Sequence, residues 1–128
     1  MQTAAVIPIL RSFEESRTRA FYLDFLGFRI DWEHRFEADL PLYMQVSRGS
    51  IVLHLSEHHG DATPGSAVRI LFEDLPALAE ELTAKRYANA RPGIEVQPWG
   101  CEELRVIDPS GNRLVFYRFS EDEGEDED

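Results

Sequence analysis

Residues 102–119, EELRVIDPSGNRLVFYRF, contain two strand-like runs separated by a turn sequence. Apolar and polar side chains alternate on either side of the turn, which is typical of half-buried β-strands. The turn itself, DPSGN at 108–112, combines Asp, Pro, Gly and Asn, the residue types that tight turns prefer. The stretch therefore predicts a hairpin of two strands, residues 102–107 and 113–119, in which alternation assigns each side chain to one face.

The segment before this hairpin predicts a strand, a helix and a further strand. Residues 67–72 are apolar and strand-like, and Asp74 then caps a helix that has Pro76 in its first turn. Residues 94–97 follow as a short strand. The apolar side of the helix consists of Leu75, Leu78, Ala79 and Leu82. The C-terminal half of the chain is thus predicted as one β-α-β-β-β unit.

The N-terminal half predicts the same unit. A strand is expected over residues 5–10 and a helix over residues 12–27, where Gly27 suits the end of the helix. Three more strands are expected over residues 28–34, 42–47 and 51–56. The phenylalanines that we expect on one side of the helix are Phe13, Phe21, Phe25 and Phe28.

The spacing between the two units is predicted to be constant. Ile7 and Val68 in the first strands are 61 residues apart, and so are His54 and Val115 in the last strands. Alternation in the last strands directs one set of side chains toward the helices, namely Leu53, Leu55, Leu114 and Phe116. The more polar set is left on the other face of each sheet.

Length and composition favour one globular domain. A chain of 128 residues, of which 43% are hydrophobic, can bury a core. We therefore predict a single α+β domain, residues 1–120, built from two tandem βαβββ modules at about 4–57 and 66–119. The remaining residues 121–128, EDEGEDED, carry seven acidic side chains and no apolar one, so we expect a disordered acidic tail.

Charge and targeting features exclude several classes of function. The net charge of −11 repels phosphate backbones and anionic lipids, so we expect neither nucleic acid nor a membrane as partner. No stretch approaches the roughly 20 apolar residues of a membrane span, and the N-terminal MQTAAVIPIL lacks the basic region of a signal peptide. The single cysteine, Cys101, has no partner for an internal disulfide and no adjacent activating base. We expect a cytoplasmic protein in which this cysteine has no catalytic role.

Several motifs carry a family resemblance: VIPILRS at 6–12, FYLDFLGF at 21–28 and DPSGNRLVFY at 108–117. Over residues 4–119 the chain resembles the vicinal oxygen chelate superfamily, also called the glyoxalase, bleomycin resistance and dioxygenase superfamily. The segment QPWG at 97–100 is similar to the bleomycin resistance proteins in particular. The resemblance implies paired βαβββ modules whose mixed sheets curve around a cleft. It also implies a homodimer in which both subunits build each groove.

The enzymes of this superfamily hold a divalent metal with His and Glu at four strand positions. The resemblance places Ile7, His54, Val68 and Val115 at these positions. Three of the four are aliphatic, and one imidazole cannot complete the coordination shell of a divalent cation. We therefore expect no metal or other cofactor and no enzymatic activity.

Aromatic residues beside acids are the predicted ligand contacts, because flat rings stack on planar ligands and carboxylates attract cations. The resemblance implies that an Asp-aromatic pair, a loop Phe and the QPWG Trp line a groove for the bithiazole and cationic tail of bleomycin. Tyr43 is a further aromatic candidate, His54 is expected on the cleft wall, and Arg113 follows from strand alternation. The predicted ligand-binding residues are Asp31, Trp32, Phe36, Tyr43, His54, Trp99 and Arg113.

The function that the resemblance implies is non-enzymatic binding. Such a protein sequesters bleomycin-type glycopeptide antibiotics and gives resistance by mass action. Two alternatives stay open. One is binding of another planar small molecule. The other is a metal-dependent lyase or dioxygenase that combines His54 with residues of the partner subunit or of the loop EHHGD at 57–61, which is rich in metal-ligand residue types.

Overall fold

The structure is a computed structural model that describes residues 4–87 and 92–120. The predicted acidic tail at 121–128 lies outside these residues. Two compact units divide the chain: the first comprises residues up to Ser66 together with Asp108–Asn112, and the second comprises Ala67–Ile107 with the residues from Arg113 onward. No helix in the described ranges is long and apolar enough to cross a lipid bilayer.

The first unit contains a four-stranded mixed sheet. Its strands are β1 (Ile9–Arg11), β2 (Arg29–His34), β3 (Tyr43–Arg48) and β4 (Ile51–Ser56), in the spatial order β1-β4-β3-β2. β1 runs parallel to β4, and the other neighbours are antiparallel. The crossover between β1 and β2 contains the helix α1 (Glu15–Arg19) and a π-helical segment, Ala20–Phe25.

The second unit repeats this arrangement. The strands β5 (Ala67–Leu71), β6 (Ile94–Gln97), β7 (Cys101–Ile107) and β8 (Arg113–Phe119) lie in the order β5-β8-β7-β6. Helix α2 (Leu75–Lys85) follows β5, with Asp74 accepting a hydrogen bond from the backbone N–H of Ala77 at its N-terminus. The predicted α+β fold of two βαβββ modules is confirmed.

Alternation in the last strand of each unit determines the core. Leu53, Leu55, Leu114 and Phe116 are each at most 2% exposed, as predicted. Each such side chain contributes roughly 1.5–3 kcal/mol by leaving water. The same alternation directs the intervening residues to the opposite face. One face of each sheet therefore packs in the core, and the side chains of the other face can contact a ligand.

The crossover in the first unit differs from the predicted helix over residues 12–27. Glu14 caps α1, so Phe13 precedes the helix and is 55% exposed. The prediction that Phe13 shares one side of the helix with the phenylalanines that are buried here is wrong. Phe13 instead lines a groove of about 490 Å³ with the loop of residues 59–64. The wider π-helical turn, with Leu26 N–H bonded to the Phe21 carbonyl, lets three aromatic side chains enter the core, namely Phe21, Tyr22 and Phe25.

The turn Asp108–Asn112 belongs to the first unit, although the strands that it joins belong to the second. The buried Tyr22 hydroxyl donates to the Asp108 carboxylate at 2.6 Å. Burial, reinforced by this carboxylate, raises the pKa of Tyr22 well above its ordinary value. Asn112, also buried, donates to the Arg11 carbonyl at 2.8 Å. Buried polar groups of this kind need such partners, so the turn completes the interior of the first unit.

The predicted constant spacing of 61 residues is correct for the last strands but wrong for the first strands. His54 pairs with Ile9 across β1 and β4, whereas Val115 pairs with Arg69 across β5 and β8. These first-strand partners are 60 residues apart. By alternation Val68 lies on the side of the buried Ile70, so Val68 is not the counterpart of Ile7. Arg69 is instead the counterpart of Ile9, because the two pair with Val115 and His54 respectively.

Candidate ligand-binding site

A β-bulge shapes the open face of the first sheet. Ile30 pairs with Val46, but the next pair is Trp32 with Gln45, so Asp31 is an extra residue in β2. Strict alternation would direct Asp31 and Trp32 to opposite faces. The bulge instead lets both side chains reach the residues of β3 that face away from the core.

Hydrogen bonds connect four side chains on this face. Asp31 Oδ2 accepts from Gln45 Nε2 at 3.0 Å, and Gln45 Oε1 lies 3.0 Å from His54 Nε2. The other ring nitrogen of His54, Nδ1, lies 2.7 Å from the Tyr43 hydroxyl. We call this set of Asp31, Gln45, His54 and Tyr43 the polar relay. It spans the three adjacent strands β2, β3 and β4, and each hydrogen bond joins two successive members of the set.

Trp32 provides the aromatic surface beside the polar relay. Its ring lies parallel to that of Tyr43, with 6.0 Å between centroids and 9° between planes. His54 approaches Trp32 edge-on at 5.3 Å and Tyr43 edge-on at 5.2 Å. Trp32 is still 43% exposed. An aromatic ring that is held in place on one side and open to solvent on the other is a suitable stacking surface for a planar ligand.

The electrostatics of this face depend on burial and on Asp31. Desolvation lowers the pKa of His54 below its ordinary value, so the imidazole is neutral at pH 7. Hydrogen bonds from Gln45 and then Ser47 lower the pKa of Asp31, which keeps it ionised. Burial raises the pKa of Tyr43, and the nearby Asp61 carboxylate adds to the effect. The face therefore presents a neutral imidazole and a neutral phenol, with one anchored carboxylate.

The other predicted site residues are not members of the polar relay. Phe36 follows the end of β2, is 75% exposed, and contacts His34 edge-on with centroids 5.0 Å apart. Trp99 and Arg113 belong to the second unit, where Trp99 is 61% exposed in the turn before β7 and Arg113 begins β8. The structure thus brings together Asp31, Trp32, Tyr43 and His54. Gln45, which joins them, was not predicted, although its place two residues after Tyr43 on the same strand was a usable signal.

The open face of the second sheet carries an ion cluster that sequence reasoning missed. Glu103 is 1% exposed, and its carboxylate accepts from Arg69 at 2.8 Å and from Arg105 at 3.4 Å. The hydrogen bond from Arg69 is the main reason why the pKa of Glu103 is lowered, and Arg105 and Trp99 add to it. The Arg69 guanidinium also lies over the Tyr117 ring at 4.4 Å.

The residues at the superfamily's metal positions do not fit a divalent cation. Of the four positions that the resemblance implies, Ile7, Val68 and Val115 are aliphatic and only His54 is a metal-ligand type. The first-strand residues that pair with His54 and Val115 are Ile9 and Arg69. Aliphatic and guanidinium side chains are not metal ligands. Within residues 4–87 and 92–120, no three His, Cys, Asp or Glu side chains converge as a metal site would require. In the loop at 57–61, Asp61 instead accepts from the Ser56 hydroxyl at 2.6 Å.

Comparison with known proteins assigns the family. The model of the family described as glyoxalase superfamily protein matches residues 1–125. The chain belongs to the glyoxalase superfamily. No curated protein matches the chain. Within the superfamily, the resemblance to the bleomycin resistance branch is confirmed by a solved bleomycin-binding protein that is 31% identical to this chain.

Three solved structures illustrate the range of this glyoxalase superfamily fold. A bleomycin-binding protein from bleomycin-producing Streptomyces verticillus, complexed with copper(II)-bleomycin, is 31% identical over 91% of this chain and 96% of that chain, with a TM-score of 0.66. A bleomycin resistance determinant encoded on the transposon Tn5 is 24% identical over 93% and 99%, with a TM-score of 0.72. A lactoylglutathione lyase from Agrobacterium tumefaciens is 15% identical over 91% and 95%, with a TM-score of 0.68. The last two likenesses concern the fold alone.

Proposed function

We propose that this chain is a non-enzymatic binding protein that sequesters bleomycin-type glycopeptide antibiotics and thereby gives drug resistance. The observation that carries the proposal is the half-exposed Trp32, stacked on Tyr43 and bordered by the neutral His54. The identity of 31% to a bleomycin-binding protein supports the choice of ligand. Protection by mass action needs only a tight complex and no chemical step.

The ligand contacts of this proposal come from both sequence and geometry. Planar heteroaromatic rings of the drug stack on Trp32, and an offset aromatic pair of this type contributes about 0.5–1.5 kcal/mol beyond the buried area. Phe36, Trp99 and Arg113 stay in the proposal as further ligand contacts on the basis of the family resemblance and strand alternation. The net charge of −11 favours encounter with a cationic drug, an effect that added salt weakens.

The exposed apolar side chains of the sheets bear on the oligomeric state. We propose a homodimer, because exposed apolar side chains occur on strands of both units, among them Ile9, Leu71, Ile107 and Phe119. We also keep the single domain of residues 1–120 and the cytoplasmic location as proposals.

The direct test is a titration of the chelator-treated protein with metal-free and with copper-loaded bleomycin, followed by tryptophan fluorescence and by calorimetry. The chain has two tryptophans, so Trp99→Phe leaves Trp32 as the only indole, and Trp32→Phe leaves Trp99. We expect saturable quenching of Trp32 near one drug molecule per subunit. Trp32→Ala should weaken binding about tenfold, the equivalent of one lost aromatic stacking contact.

A control variant and two possible results distinguish sequestration from its alternatives. Phe13→Ala, at an exposed residue before α1, serves as a matched aromatic removal outside the predicted site and should leave the affinity unchanged. No heat and no quenching at high micromolar drug would refute sequestration. Chemically altered drug recovered after incubation, as judged by mass spectrometry, would replace the proposal with the enzymatic alternative.

A further inference from the structure

The polar relay has a fixed hydrogen-bond direction, and the direction is set at Asp31. An ionised carboxylate can only accept hydrogen bonds. The amide group of Gln45 must therefore turn its NH₂ toward Asp31, which leaves its Oε1 for His54. An inverted amide would bring two oxygens together at 3.0 Å. The carboxylate thus determines which end of Gln45 faces the histidine.

The same constraint passes through His54 to Tyr43. Because Gln45 Oε1 only accepts, His54 Nε2 must carry the proton. A neutral imidazole has one N–H, so Nδ1 is an acceptor and takes the hydroxyl proton of Tyr43 at 2.7 Å. The only proton of that hydroxyl is then used inside the protein. What the Tyr43 oxygen can offer to a ligand is a lone pair.

We infer that Tyr43 is a hydrogen-bond acceptor for the ligand, so that this site selects planar ligands bearing an N–H donor, preferably a cationic one such as an amidinium. The inference deepens the proposed function and rests on its placement of the ligand at Trp32 and Tyr43. A cationic donor is favoured because the acceptor lies beside a stacked pair of aromatic faces. A carboxylate or another group that can only accept is disfavoured, since it would meet the phenol oxygen without a proton between them.

Asp31 then acts as a positioning residue. Its Oδ2 accepts from Gln45, and its Oδ1 accepts from Ser47 at 3.0 Å and lies 3.3 Å from Arg29. With both oxygens engaged, the carboxylate influences the ligand by fixing the tautomer of His54. This differs from the direct contact with a cationic tail that the family resemblance implies.

Acid should reverse the hydrogen bond between His54 and Tyr43. Once His54 is protonated, Nδ1 carries a proton and donates it to the Tyr43 oxygen, so the hydroxyl proton turns outward and the acceptor becomes a donor. The charged or titratable groups that face the polar relay are Arg29, which pairs with Asp31, and His58 and Asp61, which face Tyr43 from the loop after β4. The partner of His54 on β1, Ile9, has no charge. Donor ligands should therefore bind less tightly below the titration of His54 than at pH 7.

The tautomer can be measured without any ligand. In ¹H–¹⁵N correlation spectra of the full chain at pH 7, His54 should show a protonated Nε2 and a non-protonated Nδ1, with the exposed His59 as internal reference. Asp31→Asn frees the Gln45 amide to invert and should yield a mixture of both tautomers. Ser47→Ala removes a different contact of Asp31 and should leave the spectrum of His54 unchanged. A proton on Nδ1 of the wild-type histidine would overturn the inference.

Ligand selectivity is tested with two planar probes of similar size, benzamidinium and benzoate, followed through the indole N–H signal of Trp32. Benzamidinium should shift this signal and benzoate should not. Tyr43→Phe should weaken benzamidinium binding about fivefold, the usual worth of one hydrogen bond. Equal binding of the two probes would refute the acceptor role. If benzamidinium binds as expected and bleomycin does not, the inference stands and the proposed function fails.

Discussion

The two sheets of this molecule share a backbone pattern and a core, but their open faces carry different chemistry. At equivalent positions in the last strands, the first unit has His54 and the second has Val115. Around His54 lies the polar relay, whose single charged member is Asp31, with Trp32 beside it. Around Val115 lies the ion cluster of Arg69, Glu103 and Arg105. The βαβββ pattern therefore determines which residues face outward, whereas the chemistry of those residues differs from one unit to the other.

Truncating a core side chain in either unit should reduce stability more than any other change considered below. Leu53→Ala and Leu114→Ala remove matched side chains that are 1% and 0% exposed, one from each unit. Each should lower the free energy of unfolding by about 3 kcal/mol, because the lost burial and the cavity left behind both count. Urea denaturation measures both changes. A cost below roughly 1 kcal/mol in either variant would break the equivalence of the two cores.

The ion cluster gives the next largest effect. Arg69→Met leaves the buried Glu103 with Arg105 at 3.4 Å, and unfolding should become easier by about 2 kcal/mol at pH 7. The cost is below that of a fully buried pair because Arg69 is 47% exposed. Arg113→Met, at an exposed arginine of the same sheet, is the control and should change stability by less than about 0.5 kcal/mol.

The pH dependence of this variant follows from the lowered pKa of Glu103. A carboxyl whose pKa is lower in the folded state stabilises the fold above its unfolded pKa, about 4.3, and the contribution is lost as the pH falls through the folded pKa. The difference between wild type and Arg69→Met should therefore be fully present at pH 7 and shrink below pH of about 4. A difference that persists unchanged at pH 3 would show that the carboxylate is not its source.

A small effect on stability, together with a measurable effect on binding, is expected from exchanging His54 and Val115, the equivalent residues of the two last strands. His54→Val should change the free energy of unfolding by less than about 1 kcal/mol, because the side chain is only half-buried. The same variant should weaken bleomycin binding about fivefold, since Tyr43 loses the partner that orients its hydroxyl. Val115→His, the reverse change in the second unit, should leave binding as it was. Calorimetric titration of bleomycin into each variant and into the wild type measures these affinities.

Much of the fold could be predicted from the sequence because period-2 alternation and turn residues are local signals. They predicted the bounds of β4, β6 and β8 and the cap at Asp74. The crossover in the first unit was predicted less well, since a π-helical turn has no simple sequence period and changes which phenylalanine is buried. The register of β1 was also missed, because pairing between distant parallel strands is set by tertiary packing.

The sequence predicted individual side chains of the candidate site but not the hydrogen bonds that connect them. Asp31 and Trp32 share a face only because of the bulge in β2, and single-sequence alternation does not reveal a bulge. Gln45 was overlooked since an amide in a strand is ordinary until both of its ends have partners. Glu103 was overlooked because nothing in EELR shows which acid will be buried between two arginines.

The Asp108–Asn112 turn delays completion of the first unit while the chain is being synthesised. The first unit contains residues up to Ser66, yet the partner of the buried Tyr22 hydroxyl is Asp108. At a synthesis rate of about 5–20 residues per second, the roughly 40 residues between them take several seconds to emerge. During that interval the first sheet is made but its interior lacks a hydrogen-bond acceptor. A ribosome-bound chain ending near residue 66 should therefore be more sensitive to protease than one that includes the turn.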